Sequence, residues 1–311
     1  MNAQASILFL VMIVTCAFVI GLVLGSFLNV CIVRIPAEES TLKPRSKCPG
    51  CSAPIRWYDN IPLLSYLLLG SRCRDCKARI SWRYPAVELA SALWFAASFW
   101  SLAHSSPADF DAWMQAILAC TATACLGWLL IGLAVIDWRE GILPNDLTYF
   151  GIFAGLAFAC MVAFFLGDNQ DDVVLKHQIN INSANAGRST GNVFLTGPEF
   201  HIYSHLLGAA AAFLLLYAIR ALYKAVRKRD GMGLGDAKLL AMIAAFLGFE
   251  LSLVSLFVGV LLATVYGFFL MMRHKATAAT RLPFGSFLAV GGMLAAFYGK
   301  QILDAYRSLF P

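Results

Sequence analysis

Long apolar runs recur from one end of the chain to the other, broken by short polar connections. The first, Ile7 to Val33, contains no Lys, Arg, Asp or Glu. Further runs fall at about 85–104, 113–136, 147–166, 203–223, 237–249, 251–272 and 284–303. Most approach the ~20 residues that a helix needs to cross a bilayer, with 237–249 the short one. In lipid the backbone must satisfy its own hydrogen bonds, which an unbroken apolar segment does only as a helix. A membrane barrel would instead show ~10-residue segments of alternating polarity. The first run exceeds the ~7–15 residues of a signal-peptide core, so it reads as a retained membrane helix. The pattern therefore predicts an all-α, polytopic membrane helix bundle of about eight transmembrane helices. No fixed-period repeat stands out.

Composition agrees. Of 311 residues, 59% are hydrophobic and 14% charged, against roughly 45–50% and about 25% in a soluble domain. The mean hydropathy is +0.70. An ordinary soluble domain, a disordered chain and a coiled coil are excluded. The net charge of +6 does not argue for a nucleic-acid partner, because in a membrane protein the position of the basic residues matters more than their sum. Ten Lys and Arg lie between Arg34 and Arg83, whereas 105–112 has none. Basic content then alternates along the remaining loops, through Arg139, the acidic 167–202 stretch, the basic Arg220–Lys238 stretch, Glu250, and Arg273 with Lys275 and Arg281. The positive-inside rule puts both termini outside and the 34–83 loop in the cytoplasm. The expected organisation is a first transmembrane helix (1–33), a cytoplasmic zinc-binding loop domain (34–84) and a membrane catalytic domain (85–311) with a polar external loop at about 167–202.

Nine cysteines are present, and Cys16, Cys31, Cys120, Cys125 and Cys160 lie in apolar runs as small buried hydrophobes. The other four form Cys48-Pro-Gly-Cys51 and Cys73-Arg-Asp-Cys76, twenty-one residues apart. Paired CxxC motifs at this separation are a tetrahedral zinc signature. The competing readings are two disulfides or free thiols, and a reducing cytoplasmic loop disfavours disulfides. Four protein ligands leave no open position, so Cys48, Cys51, Cys73 and Cys76 are expected to hold a structural zinc that staples the loop.

Chemistry is then sought elsewhere. His104, His177, His201, His205 and His274 are scattered; His201 and His205 share a helix face but read as interfacial polar residues. No HExxH or phosphate-binding loop occurs. Two carboxylates stand out: Asp137 ends the third run, and Asp236 opens the sixth within Gly233-Leu-Gly235-Asp236. Both fall at cytoplasmic helix ends, and an ionisable residue there is a functional candidate. The bland alternatives are an interfacial anion beside Arg139 and a helix N-cap. Gly233 and Gly235 argue against a simple cap, since they permit close approach and positive φ. Two close carboxylates sharing a proton suit aspartic protease chemistry. Asp146 is a rival for the first position but reads as the cap of the helix that follows.

Several segments then point one way together: Gly25-Ser-Phe-Leu-Asn-Val-Cys-Ile-Val-Arg-Ile-Pro36, the CxxC pairs, Ile80-Ser-Trp-Arg-Tyr-Pro-Ala-Val-Glu88, Ile136-Asp137 with Leu143-Pro144, Gly231-Met-Gly-Leu-Gly-Asp236, and Leu282-Pro-Phe-Gly285. In this order they resemble the type IV prepilin peptidases, GxGD aspartic endopeptidases of bacteria, over nearly the whole chain. The resemblance implies that Asp137 and Asp236 are the catalytic pair. It implies cleavage of a basic leader after a glycine in type IV prepilins and type II secretion pseudopilins. It further implies N-methylation of the new first residue with S-adenosylmethionine, and residence in the bacterial inner membrane with the active site at the cytoplasmic face. No methyl-donor motif is self-evident; Gly25–Pro36, the cysteine loop and Glu88 are the region to inspect. Asn145-Asp146 departs from the family pattern, in which Asp often follows Leu-Pro directly. The presenilin-like alternative lacks its Tyr-Asp within a helix and its Pro-Ala-Leu.

Overall fold

Each of the eight apolar runs forms a helix, and two of these helices stop at glycines with positive φ, Gly141 at +66° and Gly248 at +82°. The structure is a computed structural model that describes residues 3–43, 46–48, 50–103, 109–165, 197–228, 233–273 and 282–309. The helices are α1 (Ala3–Arg34), the short α2 (Leu64–Leu68), α3 (Arg83–Trp100), α4 (Phe110–Glu140), α5 (Asn145–Phe165), α6 (Gly197–Arg227), α7 (Leu234–Leu247), α8 (Phe249–Met272) and α9 (Phe284–Arg307). α1 stops two residues before Pro36, whose ring has no N–H to continue the ladder. The side chain of Asp109 caps α4 by accepting from the Ala112 N–H at 2.8 Å. Among the described residues there is no strand, only two isolated bridges in the cysteine-rich segment. The acidic stretch at 167–196, and His104, His177 and His274, lie outside the described residues.

Six helices are long and apolar enough to cross a membrane by length and composition, namely α1, α4, α5, α6, α8 and α9. The expected eight spans are thus eight helices, of which two fall short of that measure. α3 has 18 residues. α7 has 14, a length of about 21 Å against a hydrocarbon core of about 30 Å. α7 also differs in surroundings. It packs against α4, α5, α6, α8 and α9, and Leu239, Leu240, Met242, Ile243, Ala244 and Ala245 are all fully buried. A helix sheathed by others is hydrophobic all round without meeting lipid itself. The outer faces carry exposed apolar side chains, such as Phe257, Val265 and Phe268 on α8, which suit a bilayer and not water.

Small residues and indoles set the helix spacing. On α1, a Cβ at Gly21 would sit 2.7 Å from the Ala92 Cα, and one at Gly25 2.8 Å from the Glu88 Cα. This small-xxx-small face lets α1 lie directly on the α3 backbone. Trp94 of α3 donates to the Thr123 carbonyl at 2.8 Å, and Trp128 of α4 donates to the Leu24 carbonyl at 2.9 Å. The core between α1, α4, α7 and α9 is built of Leu28, Ile32, Leu130, Leu133, Ile243 and Leu288, among others. The up-and-down order brings to one end of the bundle the last turns of α1, α4, α6 and α8 and the first turns of α3, α5, α7 and α9.

Candidate active site and metal centre

At that shared end, α4 finishes with Asp137 in its last turn. Gly141, at φ +66°, terminates the helix and donates its N–H to the Asp137 carbonyl at 2.9 Å, the left-handed stop that glycine favours. Three residues of connection follow, and Leu143 within them acts as a wedge. A Cβ on Gly235 would lie 2.9 Å from the Leu143 Cβ, and one on Gly285 would lie 2.8 Å from the Leu143 Cδ1. Leu143 therefore draws the first turns of α7 and α9 in around Asp137.

Asp236 is the third residue of α7, and Gly233, at φ −73°, is the N-cap. Its carboxylate turns back to accept the Gly233 N–H, as the third-position carboxylate of a capping box does. Asp236 is not itself the cap, in line with the sequence reading, but one expectation changes: neither described glycine of the motif needs positive φ. Gly235 is helical, and its missing side chain makes room for Leu143. Asp137 and Asp236 are both buried and lie close enough for the charge on one to act on the other.

Ser286, which the sequence reading missed, holds Asp137. Its backbone N–H donates to Asp137 Oδ2 at 2.6 Å, and its hydroxyl lies 2.9 Å from the same oxygen and 2.9 Å from the Ala134 carbonyl. Asp137 thus sits at the N-terminus of α9, where unpaired N–H groups and the helix dipole favour an anion. The signal was a serine in the first turn after Leu282-Pro-Phe-Gly285, but its partner is 149 residues away. Gly285 is the other constraint, since a Cβ there would lie 3.1 Å from both Cγ and Oδ2 of Asp137. Gly285→Ala is expected to push the carboxylate aside and lower activity by on the order of 10²-fold while the protein still inserts; a rate assay on purified protein checks this. Ser286→Ala, which keeps the N–H, is expected to cost only about tenfold, the equivalent of one hydrogen bond to a charged group.

Asp146 is exposed and lies in the first turn of α5, one residue inside the helix. It is therefore not the cap expected from sequence. Beside it, Asn145 Oδ1 accepts from Lys238 Nζ at 2.6 Å, which ties α5 to α7 next to the aspartates. His201 and His205 are neighbours, with ring centroids 4.6 Å apart and the rings tilted by 51°, but His205 Nδ1 lies 3.0 Å from the Ala245 carbonyl. That contact is a helix-to-helix tie.

The four loop cysteines form the second cluster. Each CxxC is a tight knuckle with the same backbone plan. The Cys48 N–H bonds the Ala53 carbonyl at 2.9 Å and the Ser52 N–H returns to Cys48 at 2.8 Å; Cys73 with Ala78 and Lys77 repeats this at 2.8 and 3.1 Å. The residue after the second cysteine is left-handed in both, Ser52 at φ +58° and Lys77 at +59°. The four Sγ atoms lie within 4.8 Å of one another. Cys48 and Cys76 approach to 3.7 Å, close to the ~3.8 Å edge of a tetrahedron with Zn–S bonds of about 2.3 Å. No disulfide joins them. Backbone N–H groups of Gly50 and Cys51 bring the Cys48 thiol down to about 7, favouring the thiolate that binds metal. The donor set and its geometry fit a structural zinc.

Comparison with known proteins gives one answer. The bacterial peptidase A24 N-terminal domain matches residues 19–102, and the type IV leader peptidase family matches residues 124–268. The chain is 31% identical to a prepilin leader peptidase/N-methyltransferase of Stutzerimonas stutzeri, over 94% of this chain and 93% of that protein. It is 31% identical to a protein of the same description from Aeromonas hydrophila, with 94% and 93% covered. For another from Pseudomonas aeruginosa the identity is 29%, with 94% and 93% covered. No solved structure matches the chain. With two matched segments that together take in the cysteine knuckles, Asp137 and Asp236, and relatives matched almost end to end, the chain belongs to the type IV leader peptidase family.

Proposed function

We infer that this multi-pass membrane protein is an aspartic endopeptidase that removes the basic leader of type IV prepilins and pseudopilins after a glycine, and then N-methylates the new first residue with S-adenosylmethionine. The observation that carries the peptidase reading is the meeting of two buried carboxylates, Asp137 and Asp236, at one end of the bundle. Like charges that close share a proton and titrate as a unit. The ionised member takes a proton from water as general base, and the protonated member donates to the scissile carbonyl oxygen. Ser286 fixes Oδ2 of Asp137, and the Gly233 N–H orients Asp236. The substrate's apolar helix remains in the bilayer while its basic leader reaches the site.

Cys48, Cys51, Cys73 and Cys76 would hold the zinc. The metal would fix the two knuckles relative to each other and take no part in bond breaking, since its ligand set is complete.

Coexpression with a prepilin, followed by mass spectrometry of the pilin N-terminus, tests the reaction. The expected result is loss of the leader and a gain of one methyl group at the new terminus. The active end is taken to be cytoplasmic. Reporter fusions within 34–83 and within 167–202 are expected to fall on opposite sides of the membrane; both on one side would refute that orientation.

A further inference from the structure

On the outside of the bundle, α3 and α9 both pack against α4, and between them a groove of about 460 Å³ runs along the α4 surface. Ala90 and Leu93 of α3 form one wall, Ile131, Ala134 and Val135 of α4 the floor, and Met293 of α9 the other wall. Leu93 is 55% exposed, so the groove opens sideways to the bilayer. Trp94 bars one end. Its indole lies against Gly127, where there is no room for a Cβ, and donates to the Thr123 carbonyl at 2.8 Å. Its ring then reaches across to Phe297 of α9, with centroids 4.7 Å apart.

The other end runs into the catalytic pair. Ala134 lies one turn before Asp137, and the Ser286 hydroxyl is 2.9 Å both from the Ala134 carbonyl and from Asp137 Oδ2. Gly127, under the Trp94 bar, is ten residues before Asp137, or about 15 Å along the helix.

Apolar lining alone does not make this groove a binding site, because lipid chains are as apolar as the side chains. Helices associate in lipid through close packing, which small residues permit. Ala90 on the wall and Ala134 on the floor give a further helix that room. The catalytic end then selects the occupant. Whatever lies along the groove presents its own end to two buried carboxylates, and a lipid chain has no peptide bond to offer them. A polypeptide whose apolar helix begins just past the cleaved bond satisfies both ends.

We propose that the α3–α4–α9 groove seats about the first ten residues of the substrate's apolar helix, and so sets which peptide bond reaches Asp137 and Asp236. The proposal rests on the peptidase reading above. At the Trp94–Phe297 bar the substrate helix leaves the groove for the lipid.

The test uses the full-length protein in lipid nanodiscs with a purified prepilin. Ala90 is exposed, so Ala90→Phe fills the groove without entering the core. Expected is a KM raised about tenfold with kcat within about twofold, the pattern of lost substrate binding and not of a damaged site. Val265→Phe, on the outer face of α8 where Val265 is 61% exposed, is expected to change neither. Benzoylphenylalanine placed at Leu93 in Asp236→Asn protein, which leaves the prepilin uncut, should cross-link to it within about ten residues past the scissile bond. The same group placed at Val265 should label lipid. If Ala90→Phe leaves KM unchanged and Leu93 labels lipid or a second copy of this chain, the groove assignment is wrong and the peptidase reading stands. If the unmodified protein does not cleave the prepilin, that reading fails and the groove assignment falls with it. Should Ala90→Phe fail to fold, the label from Leu93 decides: prepilin supports the groove, and lipid or a second copy overturns it.

Discussion

Asp137→Asn and Asp236→Asn should each abolish leader cleavage, with losses of about 10⁴-fold or more, in protein that still inserts and binds zinc. Asn is nearly isosteric with Asp. It can accept the Ser286 or Gly233 N–H in place of the carboxylate, so the local fold should survive. It can neither ionise nor pass a proton. The remaining carboxylate then has no partner to hold the complementary protonation state. Asp146→Asn should keep most activity, because Asp146 is exposed in the first turn of α5, whereas both members of the pair are buried. Rates on a purified prepilin check all three. A non-enzymatic scaffold would be indifferent to every one of these changes.

Removing the metal centre should have the second large effect, and a different one. Purified protein is expected to carry about one zinc per chain, and Cys→Ser at all four positions to carry none, as elemental analysis would read. Structural zinc contributes folding energy of about 10–16 kcal/mol in small metal-bound domains. A segment held by two isolated bridges and a few turns has little else to replace it. Loss of a structural metal destabilises its own segment first, so methylation is expected to fall before cleavage. Asp137 and Asp236 are held by helix ends and Leu143, none of them in the cysteine segment, and cleavage should persist longer. Equal loss of both activities would show that the loop also serves the peptidase step.

Much of the architecture was legible in the sequence because membrane helices announce themselves by unbroken apolar runs. All eight runs became helices, with bounds shifted by a few residues. The spanning count was harder. α7 is apolar on every side because other helices surround it, and composition alone does not separate that from contact with lipid. The CxxC knuckles were legible because each is local, four residues on one turn. Asp137 and Asp236 could be singled out as carboxylates at helix ends, but their nearness depends on Leu143 filling the space left by Gly235 and Gly285. The role first given to Gly233 and Gly235, positive φ, was replaced by close packing for Gly235, which only a tertiary neighbour reveals. Ser286 was hidden for the same reason. Nothing local marks a serine as the donor to a carboxylate 149 residues away.

The central claim is that Asp137 and Asp236 act as one catalytic unit, and a mutant cycle on prepilin cleavage tests it most directly. Single-turnover rates of Asp137→Asn, Asp236→Asn and the double variant are measured on one substrate, with intact mass confirming which peptide bond is cut. Groups that act as a unit are strongly non-additive. The account predicts that the double variant is no slower than either single one, all three at the residual level. A single variant that cleaves at near the unmodified rate would contradict it, as would losses that multiply in the double variant.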